Sequence, residues 1–165
     1  KELYPVIRPF FSTWYHASPY MEKYVLEALC TMGYYQDALN RMKLRYSAMI
    51  ESPLTTLWEG WGIGSEGFGG GTYNHAWSGG PLTILSQYIA GIETLEPAFR
   101  TFRVAPHPAH LNFIRTQVPL SGGRRIVFEM DKSAHGGTMY LRVPEGTSAQ
   151  VVLPAEFQRW SVTAN

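Results

Sequence analysis

Ser18-Pro19-Tyr20-Met21-Glu22-Lys23-Tyr24-Val25-Leu26-Glu27-Ala28-Leu29-Cys30-Thr31-Met32-Gly33 carries a helix signal at each end. Ser18 is a residue type that caps a helix, Pro19 suits the first helical position, and Glu22 lies in the first turn. Met21, Val25, Leu26 and Leu29 fall at helical spacing, and Gly33 supplies a stop. A second helical pattern follows from about Tyr35 to Ile50. Ala38, Leu39, Met42, Tyr46 and Met49 form its apolar face, and Pro53 closes it. Two helices joined at Gly33 predict an antiparallel helical hairpin. A third helix is predicted from about Pro81 to Ala90, with Leu82, Leu85 and Ile89 on one face and Gly91 ending it.

Beyond residue 95 the period changes. Phe99–Val104, Phe113–Val118, Arg125–Met130, Thr138–Val143 and Ala149–Leu153 alternate apolar and polar residues. Turn residues separate them at Pro106 to Pro108, Ser121-Gly122-Gly123, His135-Gly136-Gly137 and Pro144-Glu145-Gly146. Short alternating strands at this spacing predict an antiparallel β-sandwich. The expected class is α+β, with a helical part over 1–94 and a β-sandwich over 95–165. Three helices bury their apolar faces poorly by themselves, so they read as the end of a larger helical array. The first residues, Lys1-Glu2-Leu3-Tyr4-Pro5, lack Met and the pattern of a signal peptide. We expect a piece of a longer protein.

Composition narrows the function. The chain has 165 residues, of which 45% are apolar, enough for a packed core. The formal net charge is +1, and no basic stripe marks a nucleic-acid partner. The cluster Arg41-Met42-Lys43-Leu44-Arg45 reads as a solvated helix face. No run reaches the roughly 18 apolar residues of a membrane span, so neither nucleic acid nor membrane is an expected partner. The compartment is open. Cys30 is single and lies in an apolar helical run, which marks it as a small core residue. His107 and His110 sit in a proline-rich turn, and no metal or cofactor is expected.

Between the helices lies a stretch rich in Gly, Trp and Ser. Thr55-Thr56-Leu57-Trp58-Glu59-Gly60-Trp61 sets one carboxylate between two indoles, and Tyr73-Asn74-His75-Ala76-Trp77-Ser78-Gly79-Gly80-Pro81 adds an imidazole near a third. Sugar rings present C–H faces that stack on aromatic rings and hydroxyls that need polar partners. Glycosidic bonds are usually cut by carboxyl groups. Glu59 is thus either a catalytic carboxylate or a loop carboxylate that caps a helix or pairs with an arginine. His75 is a sugar-binding group, a base or a structural imidazole. Trp58, Trp61 and Trp77 are stacking platforms or packing residues, and Asn74 holds either ligand or loop. Gly62-Ile63-Gly64-Ser65-Glu66-Gly67 spells G-x-G-x-x-G, but no strand precedes it and no helix start follows, which excludes a dinucleotide site. Glu66 is a second carboxylate of this loop. Nothing in the second half points to a ligand.

At Trp58-Glu59-x-Trp61 and Asn74-His75-Ala76-Trp77-Ser78-Gly79-Gly80-Pro81 the chain resembles the bacterial α-L-rhamnosidases (glycoside hydrolase family 78). Ser18-Pro19-Tyr20 and the helical hairpin resemble the last part of that family's (α/α)6 barrel. Gly91-Ile92, Pro97-Ala98-Phe99 and Phe102-Arg103-Val104-Ala105-Pro106 resemble the passage into its C-terminal β-sandwich. The resemblance implies an inverting hydrolase of terminal α-L-rhamnose, with Glu59 as general base. It assigns His75 to contact with rhamnose, and Trp58, Trp61, Trp77 and Asn74 to the sugar pocket. It also implies that the general acid lies upstream, so that the rest of the polypeptide completes the barrel. The alternatives are a glycosidase of the same architecture and other specificity, and a non-catalytic carbohydrate-binding or structural module.

Overall fold

A computed structural model of the chain describes residues 1–62, 71–153, 157 and 160–165. Residues 63–70, including Glu66 and most of the glycine-rich loop, lie outside the described residues. The chain divides into two units, Lys1–Ile84 and Leu85–Asn165.

The first unit contains α1 (Tyr4–Thr13), α2 (Pro19–Thr31), α3 (Tyr35–Glu51) and the short α4 (Gly80–Ile84). Ser18 caps α2 by accepting from the Met21 amide at 3.3 Å. Val25, Leu26, Leu29 and Cys30 of α2 are buried, as are Ala38, Leu39, Met42, Tyr46 and Met49 of α3. The Tyr46 hydroxyl donates to the Pro19 carbonyl at 3.1 Å, so the end of α3 lies beside the start of α2. This is the expected antiparallel hairpin. Met21 departs from the expected face and is exposed.

Arg41 and Arg45 correct the reading of a solvated basic face. Arg41 is buried with Glu22, and the two form a fork-to-fork pair in which Nη2 donates to Oε2 at 2.9 Å. Arg41 Nη1 also donates to the Phe11 and Trp14 carbonyls, at 3.0 and 2.7 Å. A planar guanidinium with five donors meets four acceptors here, so its burial is compensated. Arg45 Nη2 donates to the Ala17 carbonyl at 2.8 Å. Burial, as the largest influence, pushes the Arg45 pKa down from its ordinary value.

Helix α1 was not foreseen. Pro5 near its start is compatible with a helix, Pro9 lies inside it, and it buries no residue. Tyr4, Ile7 and Phe11 are half-buried along one side of it, and polar ties add to this packing: those to Arg41, and the pair in which Arg8 Nη2 donates to Asp37 Oδ1 at 3.0 Å. The third predicted helix also differs. Ala76–Gly79 is a 3₁₀ turn, Gly80–Ile84 is α-helical, and Leu85–Ile89 is a π-helical turn. The wider turn rotates the register. Ile84 and Ile89 are buried, while Leu82 is exposed.

The second unit holds two sheets. One has the order β1-β2-β6, from β1 (Ile92–Thr94), β2 (Thr101–Val104) and β6 (Ser148–Val151). The other has the order β3-β4-β5-β7, from β3 (Phe113–Pro119), β4 (Arg125–Ser133), β5 (Gly136–Arg142) and β7 (Trp160–Ala164). Inward residues alternate along the strands: Ile92, Phe102 and Val104 from one sheet, and Ile114, Ile126, Phe128, Met130, Met139 and Leu141 from the other. These make the core of the expected β-sandwich. Strands β1 and β7 were not foreseen, and each sheet carries one parallel pair, β2 with β6 and β5 with β7. Strand β2 starts at Thr101 rather than Phe99 because Ala98 and Phe99 take φ of 61° and 57° in a turn. Gly91, at φ +71°, brings its Cα against the chain at Ala105; a Cβ there would lie 1.9 Å from the Ala105 carbonyl oxygen.

Two predictions follow from the first unit. Replacing Glu22 by Leu should destabilise the chain by about 3–5 kcal/mol, because it strands a buried guanidinium. The double change Glu22→Leu with Arg41→Met should recover most of that loss in urea unfolding; a double mutant as unstable as the single would refute the pairing account. The Cys30 thiol, pushed up to about 12 chiefly by burial, should resist a thiol reagent at pH 8 until the chain is unfolded. Labelling at the rate of a free thiol in the folded chain would contradict its burial.

Candidate active site

The segments at 57–59 and 72–75 are clipped together by main-chain bonds. The Glu59 amide donates to the Thr72 carbonyl at 2.9 Å, and the His75 amide donates to the Leu57 carbonyl at 2.8 Å. The Thr56 hydroxyl adds a bond to the Tyr73 carbonyl. This clip carries Glu59 and His75 to one place although they are 16 residues apart in sequence.

Glu59 Oε2 accepts from the Thr72 amide at 2.8 Å and from the Thr72 hydroxyl at 3.3 Å. It lies 3.4 Å from His75 Nδ1. The Thr72 hydroxyl is 3.2 Å from the same nitrogen. A hydroxyl has one proton, and an ionised carboxylate only accepts. If Thr72 gives its proton to Glu59, then His75 Nδ1 must carry the proton that faces both oxygens. The neutral imidazole then has Nδ1–H and an acceptor at Nε2. Both the Glu59 and the His75 side chains are about one third exposed (32% and 35%), so the pair is accessible to a ligand.

Trp77 covers this pair. Its indole N–H donates to the Glu59 carbonyl at 3.2 Å. Its ring lies 4.4 Å from the His75 ring and 5.4 Å from the Tyr20 ring, centre to centre, and it stays 42% exposed. Trp58 is turned the other way. Its ring meets Tyr73 edge-on at 5.4 Å, its amide approaches Met49 Sδ at 3.5 Å, and its carbonyl accepts from the Ser78 hydroxyl at 2.5 Å. The Trp58 indole N–H is buried with no partner among the described residues. Trp61 is committed to the helical hairpin. Its N–H donates to the Ala17 carbonyl at 2.7 Å, its ring meets Tyr46 edge-on at 4.9 Å, and the Arg45 guanidinium lies 4.1 Å above it. Asn74 is exposed, and its carbonyl oxygen lies 3.5 Å from the Thr72 hydroxyl.

The structure thus brings Glu59, His75 and Trp77 together, with Asn74 beside them, and places Trp58 and Trp61 in packing that supports the clip. Glycine is required at position 80, where a Cβ would lie 2.6 Å from Lys23 Cβ. That close approach seats α4 on α2. Thr72 is the residue that sequence reasoning missed. A hydroxyl three residues before His75 was the only available signal, and nothing in that spacing says it returns to Glu59. Among the described residues, no group of three His, Cys, Asp or Glu is placed to hold a metal. No described helix is long and apolar enough to cross a membrane.

Residues 91–164 match the family model described as the bacterial alpha-L-rhamnosidase C-terminal domain. This chain resembles the C-terminal part of bacterial alpha-L-rhamnosidases. The structure of the GH78 rhamnosidase of Bacillus sp. GL1 superposes with a TM-score of 0.80 and 27% identity, covering 97% of this chain and 18% of that one. The alpha-L-rhamnosidase of Dictyoglomus thermophilum gives a TM-score of 0.69 and 25% identity, over 83% of this chain and 16% of that one. The Streptomyces avermitilis enzyme, solved with L-rhamnose, shares the fold at a TM-score of 0.71 and 23% identity, over 81% of this chain and 14% of that one. The chain therefore spans less than a fifth of the length of these proteins. No curated protein sequence matches it.

The tautomer is open to measurement. At pH 8.5, where an imidazole is ordinarily neutral, ¹⁵N shifts of His75 should show a protonated Nδ1 and an unprotonated Nε2. A protonated Nε2 would contradict the proton assignment.

Proposed function

We propose that this chain is the part of an inverting α-L-rhamnosidase that supplies the general base and part of the sugar pocket. In this reading residues 1–94 form the C-terminal part of an (α/α)6 barrel and residues 95–165 its β-sandwich. The rest of the same polypeptide completes the barrel. The substrate is a glycoside or oligosaccharide ending in α-L-rhamnose.

The observation that carries the reading is the seating of Glu59. Thr72 holds Oε2 with two donors, and among the described residues none donates to Oε1. Oε1 is thus the oxygen left to take a proton from water. Inversion requires that water to attack the anomeric carbon from the face opposite the leaving oxygen, while a second carboxyl group protonates that oxygen. The two carboxyls of such a pair stand about 6.5–9.5 Å apart. Glu59 would accept the water proton as the new C–O bond forms and the glycosidic bond breaks. The acid, supplied from upstream, would donate its proton to the leaving alcohol. His75 Nε2 would accept from a sugar hydroxyl, and the exposed Trp77 ring would offer an apolar surface for C–H stacking. Asn74 adds an amide at the edge. Trp58 and Trp61 would shape the pocket through the clip.

With its acid elsewhere, the chain alone should not hydrolyse an aryl α-L-rhamnoside; turnover by the chain, free of host glycosidases, would refute that. In the full-length protein, Glu59→Gln should lower hydrolysis by about 10²–10⁴-fold with unchanged folding. Proton NMR of the wild-type reaction should show β-L-rhamnose released first. An active wild type with a barely affected mutant would move the base elsewhere, and release of α-L-rhamnose would exclude inversion.

A further inference from the structure

At one end of the four-stranded sheet, Arg124, Arg125 and Arg142 line a cleft of ≈ 380 Å³ with Gly123, Val143, Pro144, Glu145 and Asn165. The pleat explains the convergence. Ile126, Phe128 and Leu141 point to the core, so Arg125 and Arg142 point outward. Val127 pairs with Arg142, which makes Arg125 its diagonal neighbour on the same outer face.

The charge of this end is net positive. Further along the same face Arg115 is neutralised by Glu129 and Asp131, at 3.6 and 2.6 Å. Among the described residues no ion pair joins Arg124, Arg125 or Arg142. Glu145 is the one acidic side chain among the eight lining residues. Two of the guanidiniums are already oriented by neutral acceptors. Arg124 donates to the Ser121 and Glu145 carbonyls, at 3.2 and 2.6 Å. Arg125 donates to Gln117 Oε1 at 2.9 Å. These bonds fix side chains without cancelling charge, which lowers the entropy lost when an anion arrives. Val143 and Pro144 give the cleft an apolar wall.

We propose that this cleft binds an acidic saccharide, with a uronate carboxylate held between Arg125 and Arg142. Guanidinium forks match carboxylate geometry, and the apolar wall suits a sugar C–H face. The choice of a sugar rests on the glycosidase reading; the anion does not. The cleft gives the second unit a role in retaining an acidic polysaccharide.

The test uses the 165-residue chain and backbone amide NMR, with no hydrolysis involved, so its failure is distinct from failure of the rhamnosidase reading. Tetragalacturonate should shift the amides of Gly123–Ile126 and Arg142–Glu145 with a Kd on the order of 1 mM or tighter. Raising the salt from about 20 to 300 mM should weaken it, as screening requires. The double variant R125Q/R142Q should weaken binding at least about tenfold. R142K, which keeps the charge and loses the fork, should fall between it and the wild type. Neutral maltotetraose should leave these amides unmoved. Absence of shifts with tetragalacturonate, or equal affinity in R125Q/R142Q, would overturn the site. Inorganic sulfate binding as tightly as tetragalacturonate would overturn its assignment to a sugar.

Discussion

The buried pair of Glu22 and Arg41 is the constraint on which the first unit depends. It joins α2 to α3 across the hairpin, and the same guanidinium reaches the carbonyls at the end of α1. Helix α1 buries no side chain fully, so these polar contacts, and Arg8 with Asp37, add to the packing of its half-buried Tyr4, Ile7 and Phe11. A buried ion pair offsets its own desolvation only when its geometry is good and further hydrogen bonds meet the remaining polar atoms. Here both carboxylate oxygens and four of the five guanidinium donors are met, which disfavours any other register of the hairpin. A one-residue slip of α3 would leave both charges buried and unpaired. The pair therefore specifies the arrangement more than it adds to net stability.

From that hairpin the site follows by short steps. Trp61 packs on Tyr46 and Arg45, and Trp58 reaches Met49, so the segment holding Glu59 is fixed at both ends to α3. Gly80 lets α4 settle against Lys23 of α2, which anchors the segment holding His75 and Trp77. The main-chain clip then needs only to close the gap between two segments already placed. Thr72 finishes the work with one amide and one hydroxyl on the same carboxylate oxygen. A site that must hold a carboxylate within a fraction of an ångström is better built on such locked residues than on loops alone.

Much of this was legible in the sequence. The faces of α2 and α3 and the cap at Ser18 follow from periodicity and local chemistry, and all hold except at Met21, which is exposed. The inward residues of β2 to β5 follow from alternation. What could not be read depends on distant partners. Arg41 looks like a surface cation until Glu22, nineteen residues earlier, is seen beside it. Helix α1 does carry apolar residues at helical spacing, Tyr4, Ile7 and Phe11, but Pro9 argues locally against a helix there. The parallel pairs of β6 and β7 join segments far apart in sequence, and hydrophobic pattern carries no information on such pairing. At the site, Glu59 and His75 stood out by composition and resemblance, whereas Thr72 acts through a fold-dependent contact with no motif of its own.

The most direct test of the central claim is a crystal structure of the full-length protein with L-rhamnose. The account predicts the sugar beside Trp77, with a hydroxyl on His75 Nε2 and its anomeric carbon facing Glu59 Oε1 across room for one water. Rhamnose bound in another cavity, with Glu59 and His75 touching only protein, would contradict it.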